Sequence, residues 1–120
     1  TIFTKQWLNQ QPLTITGDGE QRRDFTHVED ICDGFIKAGT KMVEGSLIGY
    51  NTFELGTGKN YSINELADMF DPNNKKYVSA RKGEARLTLA DNKKAKNVLG
   101  WNPKDRLKTF VERFKRRNSN

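Results

Sequence analysis

The sequence predicts a small α/β protein, an α+β lobe in which short strands alternate with amphipathic helices. Apolar residues at helical spacing, short β-branched runs and glycine turns follow one another along the 120 residues, which is typical of a mixed fold. The length suits one domain, placed over residues 1–120. The hydrophobic share is 34%, below the usual share of about 45–50%, so the core is expected to be thin. No apolar run approaches the length of a membrane span, about 18 residues, and no membrane contact is expected.

The first part of the chain carries signals for a helix, a strand, a turn and a second helix. Residues 1–10 place apolar and long side chains at helical spacing. Residues 13–16 are apolar or β-branched and predict a strand, which the glycine turn at residues 17–19 ends. Residues 23–28 predict an extended segment, after which Asp30 is expected to cap the next helix. The buried stripe of that helix, from its first residue onward, is predicted to be Ile31, Phe35, Ala38 and Met42.

The second part repeats the order of strand, glycine turn and capped helix. Residues 50–55 alternate as a strand does, and the glycines of residues 56–58 end the pattern. Ser62 and Glu65 have the spacing of a capping box, which predicts a helix running to about Phe70. The remaining predicted elements are a strand over residues 76–80, a helix capped by Asp91 and ended by Gly100, and a last amphipathic helix on Leu107, Phe110, Val111 and Phe114.

The positive charge is concentrated at the end of the chain. The formal net charge is +6, but residues 92–120 hold ten Lys or Arg against two acids, so the rest of the chain is slightly acidic. Capture of a phosphate-rich polymer is one interpretation of this charge. No aromatic stacking platform or nucleic-acid motif accompanies it, which favours a solvated helix end, frayed from about residue 115, over a nucleic-acid site.

The residue inventory leaves little room for nucleophilic or metal chemistry. Cys32 is the single cysteine and His27 the single histidine, so a disulfide framework, a zinc site and a catalytic triad have no support. We expect Cys32 to be a packing thiol in a reducing, cytoplasmic protein, and His27 to be structural. The glycine turns at residues 17–19 and 56–58 lack the pattern of a phosphate-binding loop.

Five strings carry a resemblance to a known family. The string GDGEQRRDFTHVED at residues 17–30 resembles the substrate-lobe segment of the NAD-dependent epimerase/dehydratase family, the extended short-chain dehydrogenases/reductases, to which the UDP-glucose 4-epimerases belong. The others follow in the family's order: QPLTITG at 11–17, FELGTGKNYSINELA at 53–67, RKGEARLTLAD at 81–91 and KAKNVLGWNPK at 94–104. The resemblance therefore covers nearly the whole chain.

The resemblance implies a set of substrate-binding residues. Arg23 and Arg81 match the arginines that contact the diphosphate of the nucleotide sugar, and guanidinium forks suit phosphate oxygens. Glu84 matches the acid that accepts from the ribose hydroxyls. The base pocket is implied to involve Leu13, Ile15 and Phe3. Asp24 and Asp30 are expected to be structural, and Glu54 departs from the Asn usual in relatives, which puts a substrate role there in doubt.

The catalytic half of the family pattern is missing from this sequence. It holds neither the glycine-rich dinucleotide fingerprint nor a Tyr-x-x-x-Lys pair. The resemblance thus implies a C-terminal lobe that binds a nucleotide sugar, with UDP favoured, without catalytic residues or a cofactor of its own, while NAD serves the complete enzyme. The alternatives are a stand-alone binding or assembly module that pairs with a separate Rossmann protein, and a dehydratase or decarboxylase parent. Self-association through the docking face is a further expectation.

Overall fold

The computed structural model describes residues 1–119, which form two compact units. The strand unit comprises residues 1–23, 61–88 and 108–119, and the helix unit comprises residues 24–60 and 89–107. In chain order the elements are α1 (Ile2–Leu8), β1 (Leu13–Thr16), β2 (Arg22–Arg23), α2 (Val28–Val43), β3 (Tyr61–Ser62), α3 (Ile63–Phe70), β4 (Lys75–Val78), a π-helical turn (Ala95–Leu99) and α4 (Leu107–Asn118).

The strand unit is built on a parallel pair of strands. β1 pairs with β4 from Leu13 opposite Lys75 to Thr16 opposite Val78. The strand alternation buries Leu13 and Ile15, because successive side chains point to opposite faces. These two side chains join a cluster with residues of α3 and α4, namely Ala67, Phe70 and Val111. A second pair, β2 with β3, is antiparallel and two residues long.

Local signals predicted several elements well. α1, β1 and α3 lie where the sequence placed them, and α3 carries the predicted capping box: Glu65 N donates to Ser62 Oγ at 3.0 Å and Ser62 N donates to Glu65 Oε2 at 2.6 Å. β4 covers Lys75–Val78, so it starts one residue and ends two residues earlier than the predicted strand over residues 76–80. Gly100 ends its helix in the left-handed conformation, with φ 66°, although the last turn is π-helical rather than α-helical.

The predicted start of α2 is wrong. The helix begins at Val28, three residues before Ile31, and His27 rather than Asp30 is its N-cap. His27 Nδ1 accepts from Glu29 N at 3.2 Å, which satisfies one of the free amides of a first helical turn. His27 is therefore structural, as predicted. Asp30 lies inside the first turn, where it is buried and accepts from Arg106 Nη2 at 3.0 Å.

The predicted buried stripe of α2 is wrong at two of its four residues, because Phe35 and Met42 are exposed. Ile31 is half-buried and Ala38 packs against the core of the helix unit, where Gly34 is also buried. A Cβ at Gly34 would lie 2.8 Å from a methyl group of Leu55, so any larger residue there would force the Leu55 side chain to move. The face of α2 with small residues is therefore packed, while the face with large apolar residues is exposed. The exposed residues are Val28, Phe35, Ile36, Met42 and Val43.

Two further predictions of burial and pairing are wrong. Residues 50–55 do not form a strand, and no ladder partner for them exists among residues 1–119. A strand needs a neighbour for its backbone groups, and alternation alone does not supply one. Cys32 is exposed on α2 rather than packed.

The basic end of the chain is helical where fraying was expected. α4 continues to Asn118, and Lys115 Nζ donates to the carbonyls of Met69 and Phe70 at 3.2 and 2.8 Å. Residue 120 lies outside the described residues. No helix within the described range is long and apolar enough to cross a membrane.

The capping box gives a test of the α3 assignment. Ser62→Ala should lower the free energy of unfolding by about 0.5–2 kcal/mol, the cost of a lost helix cap. Chemical denaturation followed by circular dichroism measures this, with Ser79→Ala as the matched control at an exposed serine outside the helices. Equal midpoints for Ser62→Ala and the control would contradict the capping role.

Candidate functional site

The candidate site lies at the carboxyl end of β1 in the strand unit. β1 ends at Thr16 and is followed by a turn in which Gly17 and Gly19 have φ angles of 66° and 75°. This left-handed conformation favours glycine, which has no Cβ to clash. At Gly19 a Cβ would also meet the side chain of Asn64. The turn therefore leads the chain tightly from β1 into β2.

Glu84 is the centre of the polar contacts at this site. Its Oε2 accepts from Thr16 Oγ1 at 3.1 Å, and its Oε1 accepts from Gln21 Nε2 and Arg23 Nη2, both at 3.5 Å. Gln21 is itself buried and donates to the carbonyl of Thr16 at 2.9 Å. The side chains of Arg23 and Glu84 are 25% and 27% exposed. The predicted pair Arg23 and Glu84 is thus brought together, with part of each group open to solvent.

Arg81 lies in the same loop as Glu84 but its side chain is not tied down. Its carbonyl accepts from Glu84 N at 3.3 Å. The residue is exposed, and its guanidinium makes no hydrogen bond or ion pair with any residue of 1–119. The structure therefore leaves Arg81 as a cation with all its donors available.

Of the three apolar site residues, Leu13 and Ile15 are core residues and Phe3 is partly buried against the core. Leu13 and Ile15 have exposed fractions of 1% and 0%, and Phe3 packs its ring edge-on against Phe70 with centroids 6.1 Å apart. Any contact of Leu13 or Ile15 with a base would therefore be made by the backbone of β1. Their role toward a base stays a prediction.

A bidentate ion pair borders this site. Arg86 Nη1 and Nη2 donate to the two carboxylate oxygens of Asp18 at 2.7 and 3.0 Å. These bonds from Arg86, with a further bond from the backbone N–H of Glu20, lower the pKa of Asp18 from 3.8 to about 2. Asp18 is therefore ionised throughout the neutral and mildly acidic range.

In the helix unit, Asp24 fills the glycine turn at residues 56–58. Its carboxylate accepts from Thr57 N at 3.0 Å, Thr57 Oγ1 at 2.7 Å and Gly58 N at 2.9 Å. Burial of Asp24 opposes its charge, but the bonds from Thr57, Gly58 and Ala90 outweigh that effect and lower its pKa below 3.8. The turn amides are already paired with a carboxylate, so this turn is no phosphate cradle, as the sequence predicted.

The other acids singled out in the sequence have structural contacts. Glu54 Oε2 accepts from Asp91 N at 2.8 Å, so the Glu54 carboxylate has a structural contact within the helix unit. Asp91 Oδ1 accepts from Lys93 N at 3.2 Å at the start of the helical segment that it was predicted to cap. Within residues 1–119 no group of His, Cys, Asp and Glu side chains could hold a metal ion.

Sequence reasoning missed four polar residues at the site: Thr16, Asp18, Gln21 and Arg86. Thr16 and Gln21 stand in strings that carried the family resemblance, but nothing local distinguishes a hydroxyl or amide that binds Glu84 from one that faces solvent. Asp18 and Arg86 are 68 residues apart, so their pairing depends on how the strands associate.

Comparison with known proteins identifies relatives over nearly the whole chain. The sequence profile described as GDP-mannose 4,6 dehydratase matches residues 2–114. The UDP-glucuronate 4-epimerase of Thermodesulfobacterium geofontis is 34% identical over 92% of this chain and 34% of its own length. The UDP-glucose 4-epimerase of Mycolicibacterium smegmatis is 34% identical over 85% of this chain and 33% of its own length. The chain thus spans about a third of the length of these relatives.

Solved structures agree with the sequence matches. The UDP-glucose 4-epimerase of Thermotoga maritima, determined with UDP-glucose, superposes with a TM-score of 0.75 at 33% identity, covering 97% of this chain and 38% of the other. The UDP-glucuronic acid 4-epimerase of Bacillus cereus, determined with UDP-glucuronic acid and NAD, gives 0.76 at 29% identity, covering 93% and 37%. The fold of the chain is therefore that of a segment of these epimerases.

The Asp24 contacts predict a pH-dependent stability. Because the pKa of Asp24 in the folded chain is lowered below 3.8, its contribution is complete at pH values above 3.8 and is lost as the pH falls through the folded value. Asp24→Asn should cost about 2 kcal/mol of unfolding free energy at pH 7, since bonds to a charged acceptor are replaced. It should also flatten the decline in stability below pH 4.

Denaturation at pH 7 and at steps down to pH 2.5 measures both effects. Asp33→Asn is the matched control, because it removes a carboxylate of the same unit that pairs with Lys37 at 3.2 Å on the surface of α2. An Asp24→Asn variant as stable as this control at pH 7 would show that the turn does not depend on the carboxylate.

Proposed function

The chain belongs to the NAD-dependent epimerase/dehydratase family, and we propose that it forms the lobe that binds the nucleotide-sugar substrate, a UDP-sugar, by its diphosphate. Arg23 and Arg81 bind the phosphate oxygens, and Glu84 accepts from the ribose hydroxyls. The relatives determined with UDP-glucose and with UDP-glucuronic acid support the choice of a UDP-sugar.

The observation that carries this proposal is the arrangement of charge at the end of β1. Arg23 is oriented by Glu84 and by its own bond to the carbonyl of Arg22 at 2.8 Å, yet a quarter of its side chain is open. Arg81 supplies a second guanidinium without a partner in the described chain, on the loop that carries Glu84. Two forked donors suit the several oxygens of a diphosphate, which can accept bidentate bonds.

Glu84 has acceptor capacity left for a ribose. Its two oxygens offer about four lone-pair positions, and the described contacts are one bond of 3.1 Å from Thr16 and two long ones of 3.5 Å from Gln21 and Arg23. These contacts fix the direction of the carboxylate while leaving room for shorter bonds from two hydroxyls. A ribose bound there would have its diphosphate near Arg23, whose Nη2 lies 3.5 Å from Glu84, and Arg81 reaches the diphosphate from the same loop as Glu84.

The two glycine turns, at residues 17–19 and 56–58, do not fit the pyrophosphate of a dinucleotide cofactor. The turn after β1 leads into β2 rather than into a helix N-terminus, so the strand–turn–helix arrangement that binds a pyrophosphate is not formed there. The turn at residues 56–58 is filled by the carboxylate of Asp24. We therefore place NAD on a separate dinucleotide-binding lobe, and this chain has no hydride-transfer role alone.

The exposed face of α2 supplies a surface for that lobe. Phe35 and Ile36 are 70% and 67% exposed, and Val28 and Val43 continue the apolar stripe along the helix. Large apolar side chains exposed along one face of a helix are typical of a docking site. The relatives are about three times as long as the matched region, so the occupant we propose is the dinucleotide-binding lobe, on the same polypeptide or on a separate one.

The reaction of the assembled protein is most simply a 4-epimerisation, because the relatives above are 4-epimerases. Dehydratase and decarboxylase chemistry are the alternatives, favoured by the name of the matching family profile and by UDP-glucuronic acid decarboxylases of Arabidopsis thaliana at 35% identity. A stand-alone binding module that pairs with a Rossmann protein uses the same site and the same α2 face.

The diphosphate assignment is tested by calorimetric titration of the chain with UDP-glucose, UDP and NAD. UDP-glucose and UDP should bind and NAD should not. Arg23→Ala or Arg81→Ala should weaken binding by about 1.5–3 kcal/mol, the range for hydrogen bonds between charged groups. Arg113→Ala is the matched control, because it removes the same charge from an exposed position on α4.

Two results would contradict the assignment. One is a wild-type affinity for UDP in both Arg23→Ala and Arg81→Ala. The other is an equal loss of affinity in the Arg113→Ala control. Either result would show that the nucleotide does not bind at the residues around Glu84. Repeating the titration at two salt concentrations tests whether the basic residues at the end of the chain bind phosphate groups non-specifically. Binding of that kind would weaken steeply with salt and would show no preference for a nucleotide sugar.

The docking assignment is tested on α2. The double variant Phe35→Ser with Ile36→Ser should change the unfolding free energy by no more than about 0.5 kcal/mol, as is usual for exposed sites. The wild-type chain should co-elute in size-exclusion chromatography with the part of the Thermodesulfobacterium epimerase that lies outside the matched region. The double variant should not co-elute. Phe110→Ser, which changes an exposed aromatic of the strand unit, is the control and should still co-elute. Co-elution of the α2 variant would contradict the assignment, and a concentration-dependent dimer of the wild type would indicate self-association instead.

A further inference from the structure

We infer that the ion pair between Asp18 and Arg86 is a clamp that positions the ligand-binding loop, so that both are positioning residues for the nucleotide sugar although neither binds it. The loop spans residues 79–86 and carries Arg81 and Glu84. This inference rests on the proposed function.

The loop is fixed at both ends by backbone hydrogen bonds. At its start, Gly17 N donates to the carbonyl of Val78 at 2.9 Å, beside the last pair of the β1–β4 ladder, Thr16 opposite Val78. At its end, Arg22 N donates to the carbonyl of Arg86 at 2.9 Å and Thr88 N donates to that of Arg22 at 3.0 Å. The side chain of Arg86 then reaches from this end to Asp18 in the glycine turn. The pair thus joins the two segments that border Glu84.

Asp18 is itself held from two sides. Its Oδ1 accepts from Glu20 N at 2.9 Å, and its carbonyl accepts from Asn64 Nδ2 at 2.9 Å. Asn64 is oriented by Tyr77, whose hydroxyl donates to Asn64 Oδ1 at 2.8 Å. The backbone of Asp18 is therefore tied to α3 and β4 through Asn64 and Tyr77, and its carboxylate is oriented by the amide of Glu20.

The chemistry of the pair favours a geometric role over a stabilising one. Both side chains are more than half exposed, 65% for Arg86 and 58% for Asp18, and exposed ion pairs contribute little to stability. The planar guanidinium nonetheless fixes distance and angle at once, because two parallel bonds form. The fork of Arg86 is occupied by the carboxylate of Asp18, which balances its positive charge, and Arg81 remains the unpaired guanidinium of the loop.

The direction in which Asp18→Asn changes the affinity for UDP distinguishes a positioning role from a purely electrostatic one. Asp18 is an anion near a site proposed for another anion. If it acted only through charge, Asp18→Asn would tighten UDP binding. If it positions the loop, the same variant weakens binding, since Asn keeps the bond from Glu20 N but cannot hold both nitrogens of Arg86.

The test compares Asp18→Asn and Arg86→Lys with Asp68→Asn in the 120-residue chain. Asp68 is the matched control, because it forms an exposed ion pair with Lys75 at 2.6 Å in the same unit and does not touch the loop. Amide hydrogen exchange over residues 81–86 and the dissociation constant of UDP are measured for each variant. Asp18→Asn and Arg86→Lys should accelerate the exchange and raise the dissociation constant about fivefold, equivalent to one net hydrogen bond, while the control changes neither.

Each remaining outcome overturns a specific claim. Exchange rates in Asp18→Asn equal to those of the control would show that the pair does not fix the loop, whatever UDP does. Faster exchange with unchanged or tighter UDP binding would show that loop order does not matter to the ligand. Absence of UDP binding in the wild type would refute the proposed function, and with it the role in ligand binding, while the exchange data still decide whether the pair orders the loop.

Discussion

The candidate site depends on the parallel pairing of β1 with β4. Parallel strands end at the same edge of a sheet, so the segments that leave their carboxyl ends meet there. Here these segments are the glycine turn after Thr16 and the loop of residues 79–86. The pairing is stabilised by the burial of Leu13 and Ile15 beneath it. The same register that closes the core therefore brings Glu84 to within hydrogen-bonding distance of Thr16.

Local elements were predictable from the sequence and non-local ones were not. The capping box of α3 and the short strand β1 depend on residues within a few positions of each other, and both lie where predicted. The pairing of β1 with β4, some 60 residues away in the sequence, has no local signal. Arg23, Arg81 and Glu84 were identified by resemblance, whereas the bonds of Glu84 to Thr16 and Gln21 become visible only when the strands are paired.

Two errors in the helix unit, the buried stripe of α2 and the strand at residues 50–55, have one physical origin. Periodicity shows that Phe35 and Met42 lie on an apolar face of α2, but it does not show which surface covers that face. Within the unit, α2 packs through Gly34 and Ala38, and the larger apolar residues stay exposed. The alternation of residues 50–55 likewise predicts a strand that finds no partner in the described chain. Both patterns, and the low hydrophobic content, are consistent with docking against a further lobe.

The central claim is that a nucleoside diphosphate binds beside Glu84, at the edge where β1 and β4 end. The most direct test is titration of the isotope-labelled chain with UDP, followed by amide chemical shifts in ¹⁵N correlation spectra. The account predicts saturable changes concentrated at residues 16–23 and 81–86, with little change in α2 or at the turn of residues 56–58. Changes centred on the basic surface of α4, or spectra that do not respond to UDP, would contradict it.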